Sequence, residues 1–543
     1  MAVQIKQIRG DIVELLFDPR EEDLRVGENL SLHEPITGRG LVVQVIEFRT
    51  VTYPSLIAEM LELAVEGTQP LPESLSIADL STSLQGLPPI SNLKIAIAKV
   101  RKLIAAPNTW DQWDGWIPSR DVVIERTGDE ELFAHCLRRH DHALFLGQTL
   151  ADQEFIIEGQ DLEKVNIITG TKGSGKSHLA KVILLQLIRQ GAPCLVFDIN
   201  REYIHLPPHG QGGCPGIIHL EAGENFRLGL REFGLPPLMT LLERYGLPEI
   251  SAMHFQNRVN RLLAEVGEWE AQGKKPPFLS IEQLVQMAEA REFAAGHSMT
   301  DAINGAIKSR LEALKYTRLF ARHPQEAVSL HQYYQEIRTG GALVLDVSGL
   351  GNLARTGLVQ AIIEMIKDIC QEEIRQQTYR LPFVFFEEAH LYVSRASIDY
   401  VVTRARHLGI TSFFITNMIG GLDEAVLRQA DNLFLLRLPY EDDIQHVAKS
   451  ALVDKETIAS FVVKLRYHHA LAIGNATGQY PFIFRVDPLE GVNTAGETQF
   501  FFRTREESHQ ERSLPRVRRR AASTRKAAAD SEQLALLPVE VAI

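Results

Sequence analysis

Residues 170–177 read Gly-Thr-Lys-Gly-Ser-Gly-Lys-Ser, a glycine, four residues and then Gly-Lys-Ser, the spacing of a loop that wraps phosphate. Gly170, Gly173 and Gly175 free the backbone to turn its N–H groups inward, and a helix that starts at the lysine aims its positive end at the same anion. Lys176 is then expected on the β- and γ-phosphates and Ser177 on a magnesium ion. Thr171, Lys172, Ser174 and His178 complete the candidate nucleotide contacts around them. A second chemical cluster follows at Glu387-Glu388, directly after the apolar run 383–386. Beside a phosphate loop the first acid would hold magnesium through its water shell, and the second would orient the attacking water. Asn417 ends another apolar run, where a polar side chain can touch the γ-phosphate. Arg404 and Arg406 stand near an expected helix end. An arginine there can serve a neighbouring subunit's nucleotide by stabilising charge in the transition state; a solvated helix face is the alternative, and it weighs more for Arg404.

These groups need elements to hold them. Residues 165–168 form a short β-branched run suited to a buried parallel strand, and Leu179, Val182, Ile183 and Leu187 recur at helical spacing after the loop. The order strand, glycine loop, helix is what separates a phosphate-binding loop from a chance match. Further strands are expected at 194–197, 342–347, 412–416, 432–436, 469–473 and 481–486, with a helix at 358–377. Asp198 and Glu202 follow the 194–197 strand. Open α/β sheets place their sites at such carboxyl ends, so the pair fits either a supporting role near the nucleotide or an ordinary strand-end turn. Between about 223 and 332 helical periodicity dominates, at 238–245, 254–272, 281–292 and 300–320, so a helical insertion interrupts the α/β domain.

The first 135 residues differ in kind. Short β-branched segments at 8–17, 30–34, 41–48, 93–100 and 122–126 are separated by turn signals, the pattern of a small β-barrel. A helix and a Pro/Ser/Gly-rich loop are inserted at about 55–91. His135, Cys136, His140 and His142 invite a metal reading, but the intervening Arg138 and Arg139 and the absence of a second cluster favour a solvated hinge. The core is expected over 144–490. Beyond it, 491–543 is an extension whose stretch 516–526 carries six basic residues and no acid. Its composition buries no core, so it is expected to be disordered, either simply solvated or held against DNA phosphates or an acidic partner.

Composition sets bounds. With 543 residues, 45% apolar and 23% charged, the chain exceeds one ordinary core and has the makeup of a folded soluble protein. Four cysteines without paired metal spacing read as reduced thiols in a cytoplasmic protein. No apolar run approaches the length of a membrane span. A net charge of −12 argues against coating the whole surface with nucleic acid, although a ring can be acidic outside and basic within its pore.

Taken in order, the motifs resemble the HerA family of hexameric DNA-translocating ATPases, within the FtsK-like group of RecA-like P-loop proteins. The matching pieces are the N-terminal barrel pattern, GTKGSGKS at 170–177, DINREY at 198–203, IKSRLEAL at 307–314 and GALVLDVSGL at 341–350. FFEEAH at 385–390, RARHLGITSFFITN at 404–417 and VLRQADNLFLLRLPYED at 426–442 complete the set. The resemblance spans roughly residues 1–490. It implies ATP and Mg2+ as ligands, Lys176 and Ser177 on nucleotide and metal, Glu387 and Glu388 as the acidic pair, and Arg406 reaching across a subunit boundary. It also implies Arg310 near the nucleotide. Beyond the site it implies a homohexameric ring with double-stranded DNA in its pore and a partner nuclease, or an NADase-type effector in phage defence, on the barrel face. The chain departs from the family at three points: Glu387 stands where Asp is commoner, Asn417 stands where Gln is usual and lacks the Pro after it, and the basic tail has no counterpart. A nucleotide-gated scaffold that controls an effector is the second reading. A secretion or conjugation coupling ATPase is the third, weakened by the lack of a membrane span.

Overall fold

The computed structural model describes residues 3–50, 94–106, 109–119, 122–138, 141–207, 216–275, 277–296, 298–391, 408–490 and 492. The expected insertion at 55–91, Arg404 and Arg406, and the basic tail therefore lie outside the described residues. So does the separate unit Glu497–Ile543.

The N-terminal strands are β1 (Val3–Arg9), β2 (Ile12–Phe17), β3 (Asn29–His33), β4 (Gly40–Thr50), β5 (Lys94–Ala106), β6 (Thr109–Asp111) and β7 (Val123–Arg126). The segment expected at 8–17 becomes the tail of one strand and the whole of the next, because Gly10 adopts φ +59° and folds them into a hairpin. The strands form one antiparallel sheet in the order β1-β2-β5-β4-β3-β7, with β6 on β5. Its end strands β1 and β7 are not paired to one another among the described residues, so the sheet is a half-barrel. Val13, Leu15, Leu30, Leu32, Leu41 and Val43 fill its concave face.

The remaining strands are β8 (Ala143–Thr149), β9 (Glu154–Glu158), β10 (Val165–Thr169), β11 (Pro193–Asp198), β12 (Ile217–Glu221), β13 (Gly341–Asp346), β14 (Phe383–Phe386), β15 (Thr411–Thr416), β16 (Asn432–Leu435), β17 (His469–Gly474) and β18 (Phe482–Val486). They form a second sheet, ordered β12-β13-β11-β14-β15-β10-β16-β17-β18-β8-β9. The pairings from β12 to β16 are parallel, and those from β16 to β9 are antiparallel. Strand alternation sends Ile167, Leu195, Phe197, Phe386 and Phe414 into the core on one side of the sheet, and Ile168, Val196, Phe385 and Phe413 into the core on the other. Stacked rings at 4.4 Å (Phe385 on Phe413) and 5.2 Å (Phe386 on Phe414) lock β14 to β15 from both sides. β8, β9 and β12 extend the sheet beyond the strands expected from sequence.

Helices Leu235–Arg244, Glu249–Ala271, Ile281–Glu289 and Thr300–Lys315 occupy the segment between β12 and β13, as the periodicity of 223–332 implied. The last ends earlier than expected, because the Thr317 hydroxyl bonds back to Leu314 O and Arg318 takes φ +57°. Among the described residues no helix is long and apolar enough to cross a membrane.

A polar seam joins the half-barrel to the second sheet. Lys99 Nζ lies 3.0 Å from Asp454 and 3.0 Å from Asp11, Arg101 donates to Thr457 Oγ1 at 2.9 Å, and Lys102 Nζ donates to Gly478 O at 2.8 Å. The Tyr480 hydroxyl bonds Asn29 Oδ1 at 2.6 Å and Gln44 donates to Pro481 O at 3.2 Å. Burial alone would raise the Asp454 carboxyl, but the Thr457 N–H and hydroxyl and the Lys99 ammonium together hold it down at about 2. A carboxyl held below its unfolded value of about 3.9 stabilises the fold fully above about pH 4 and loses that contribution as the pH falls toward 2, for a total of about 2 kcal/mol. Urea unfolding of wild type and Asp454→Asn should therefore show a stability gap at pH 6 that closes below pH 4. A gap independent of pH would show that the seam does not depend on this charge.

Candidate nucleotide site

Every group in the cleft sits at a carboxyl end of the parallel strands. β10 runs into the phosphate loop, and Gly175, at φ +107°, starts the Lys176–Arg189 helix. The loop is pinned from below by the Thr171 N–H on Arg437 O (2.9 Å) and from the side by the His468 N–H on Ser174 O (3.2 Å). Gly170 has no room for a side chain, because an added Cβ would lie 2.8 Å from both Leu436 Cβ and Ser174 Oγ. Lys176 is buried and donates to Thr171 O at 3.1 Å. Burial lowers its pKa, while Glu388, Glu387 and Glu202 act in the opposite direction.

The acidic pair meets this loop across one intervening strand. β14 lies beside β15, and β15 lies beside β10, so two strand spacings of roughly 5 Å separate the two tips. Ser177 Oγ spans the remainder and donates to Glu387 Oε1 at 2.7 Å. Tyr203 Oη donates to Glu387 Oε2 at 2.9 Å. Glu387 is 1% exposed. Burial raises its carboxyl well above the usual carboxylate range, and the Glu202 charge raises it further, against the Ser177 and Tyr203 hydrogen bonds. Glu388 faces a different set of groups. Its backbone is left-handed at φ +48°, and its Oε1 accepts from Asn417 Nδ2 at 3.1 Å. His390 Nδ1 lies 3.5 Å from Glu388 Oε2 and 2.9 Å from Thr416 Oγ1. The structure thus brings Lys176, Ser177, Glu387, Glu388 and Asn417 into one cluster.

The remaining sequence candidates make other contacts. Arg310 donates to Gly246 O at 2.9 Å and Ala306 O at 3.4 Å, which commits its guanidinium to the helical layer. His178 bonds Asp487 O at 2.7 Å and meets the His468 ring edge-on, beneath the loop. Lys172 is exposed. His135 stacks on Trp110 at 4.4 Å, and Cys136 is buried at the end of the same helix. Asp198 combines its two readings: it accepts the N–H groups of Asn200, Glu202 and Tyr203, and the turn it closes lies beside the acidic pair. Tyr203 and His390 were not singled out by sequence reasoning. Both were visible in the DINREY and FFEEAH strings, but only as unassigned neighbours.

The donor set suits a phosphate and a hard cation. Ser174 Oγ, Glu388 Oε2 and Asn417 Oδ1 are buried without a hydrogen-bond partner, which native interiors seldom tolerate unless a ligand or water uses them. Ser177 and Glu387 offer oxygen only, as magnesium requires.

Residues 146–366 match the family model described as "Helicase HerA, central domain". The chain is 22% identical over 337 residues to the DNA double-strand break repair helicase HerA of Sulfolobus acidocaldarius, covering 60% of this chain and 65% of that protein. It is 24% identical over 359 residues to the protein of the same name from Sulfurisphaera tokodaii, covering 63% and 68%. The central part of the chain is similar to the central domain of HerA helicases. Its match to the Sulfolobus acidocaldarius relative thus spans just under two thirds of that protein's length. Among solved structures, VirB4 of Thermoanaerobacter pseudethanolicus aligns with 65% of this chain and 99% of that chain at 14% identity and a TM-score of 0.49. The bacterial conjugative coupling protein TrwBdeltaN70 aligns with 69% and 94% at 12% identity and a TM-score of 0.44.

The tight packing at Gly170 makes a test. A Gly170→Ala methyl must displace the loop, and the part of that overpacking strain, about 1–3 kcal/mol in all, that binding must reverse is lost from affinity, up to roughly 150-fold. Titration with a fluorescent ATP analogue should show that loss, and an unchanged affinity would show that the loop does not cradle phosphate.

Proposed function

We propose that this protein is an ATP-hydrolysing motor that moves double-stranded DNA through a homohexameric ring. The observation that carries the reading is the convergence of Lys176, Ser177, Glu387, Glu388 and Asn417 at neighbouring strand tips in a chain similar to HerA helicases. The relatives' names, double-strand break repair helicases, support DNA as the substrate.

The chemistry follows from the cleft. The loop N–H groups and Lys176 bind the β- and γ-phosphates and orient them. Magnesium, held by Ser177 and through water by Glu387, would neutralise charge on the same phosphate oxygens. Glu388 aims a water at the γ-phosphorus and draws off its proton as the water oxygen bonds to phosphorus. The bond to the bridging oxygen breaks, leaving ADP and inorganic phosphate. Asn417 donates to one oxygen of Glu388 and so ties the base to the strand tip beside the γ-phosphate position. Arg406 is assigned to the neighbouring subunit's nucleotide, and Arg310 to a supporting position in the helical insertion. The half-barrel offers the face on which a nuclease or NAD-consuming effector docks.

Lys176→Ala and Glu388→Gln separate binding from chemistry. Lys176→Ala should lose nucleotide affinity, whereas Glu388→Gln should keep it and lose turnover by roughly 10²- to 10⁴-fold, the usual worth of a positioned base. Steady-state ATP hydrolysis with and without duplex DNA checks this. Turnover in Glu388→Gln equal to wild type would remove Glu388 from the mechanism.

A further inference from the structure

We propose that Tyr203 is a positioning residue for the metal-holding carboxylate: its phenol fixes Glu387 so that one oxygen alone faces the nucleotide cleft. The inference rests on the nucleotide reading above. Glu387 carries two hydroxyl donors, one on each oxygen. Ser177, on Oε1, belongs to the phosphate loop and can turn its lone pairs to a cation. Tyr203, on Oε2, is 0% exposed and sealed in the core. A glutamate has three side-chain torsions to order, and a tether at its far oxygen removes that freedom before a cation arrives.

The turn that delivers the phenol is built for it. Asp198, fully buried at the tip of β11, accepts N–H groups from Asn200 (3.2 Å), Glu202 (3.0 Å) and Tyr203 (2.9 Å). Arg201 takes φ +60° inside the turn, and the chain folds back so that Tyr203 reaches the neighbouring strand. There β11 and β14 pair Phe197 with Phe386, and the Glu387 N–H donates to Phe197 O at 3.3 Å. On the ring's other side Lys181, from the phosphate-loop helix, stands 5.4 Å from the ring centroid. Tyr203 therefore touches the phosphate-loop helix and the acidic strand at once. A residue that only filled space would not need an oxygen aimed at Glu387.

Tyr203→Phe keeps the ring and removes the donor. Binding of a fluorescent ATP analogue is measured in EDTA and then across a Mg2+ titration, for wild type, Tyr203→Phe, Glu387→Ala and the double variant, with melting temperature as the fold control. The expected result is wild-type affinity in EDTA and a ten- to hundredfold higher Mg2+ half-saturation, the usual scale for losing a partner of a metal ligand. In the Glu387→Ala background Tyr203→Phe should add nothing. An unchanged Mg2+ half-saturation, or equal losses with and without Mg2+, would overturn the proposal and leave Tyr203 as core packing. A wild-type chain that gains nothing from Mg2+ would overturn the nucleotide reading itself, and this inference with it.

Discussion

A carboxylate buried at the end of β14 must find partners, and here the partners decide the architecture. The loop after β10 brings Ser177 within hydrogen-bond reach of Glu387, and the turn after β11 brings Tyr203 to its other oxygen. Removing either takes a hydroxyl bond from a buried carboxyl, which is costly in a low-dielectric core. Three strand tips, β10, β11 and β14, therefore have to stay in register. Parallel pairing through β15 and the doubled phenylalanine stacks hold that register from both sides of the sheet.

The second acid depends on a break in that regularity. In an extended strand Glu387 and Glu388 would point to opposite faces. The left-handed backbone at Glu388 ends the alternation, so that one acid bonds Ser177 while the next bonds Asn417, just beyond β15. Such a conformation is uncommon for a residue with a side chain and persists only where its surroundings impose it. Here the His390–Thr416 bond and the Ala389–Leu391 turn follow at once. The arrangement gives adjacent acids separate duties, one toward the loop serine and one toward the tip of the central strand.

The strands that carry the site were legible because each is apolar on both faces. Val165-Asn166-Ile167-Ile168 and Phe383-Val384-Phe385-Phe386 announce parallel burial without alternation. β12 mixes His219 and Glu221 into a short run, and β8 alternates, so neither stands out from a loop or hinge. Their pairing was less legible still. β8 joins β18, where Arg485 opposes Gln148 across a sequence separation no local pattern reports. Residue types and spacing picked out Lys176, Ser177, Glu387, Glu388 and Asn417, which the fold brings together. Tyr203 stayed hidden because its role depends on a turn closed by Asp198, and on a neighbour that lies far along the chain. Arg310, singled out by its motif alone, donates to Gly246 O and Ala306 O.

Ser177 and Glu387 meet beside the glycine loop, where we propose that they hold a cation. Anomalous X-ray scattering from crystals grown with Mn2+ and a non-hydrolysable ATP analogue tests it most directly. A manganese peak is expected beside Ser177 Oγ, with Glu387 directly or through one water behind it and the β- and γ-phosphates against Lys176. Nucleotide bound away from residues 170–177, or a manganese peak remote from both Ser177 and Glu387, would contradict it.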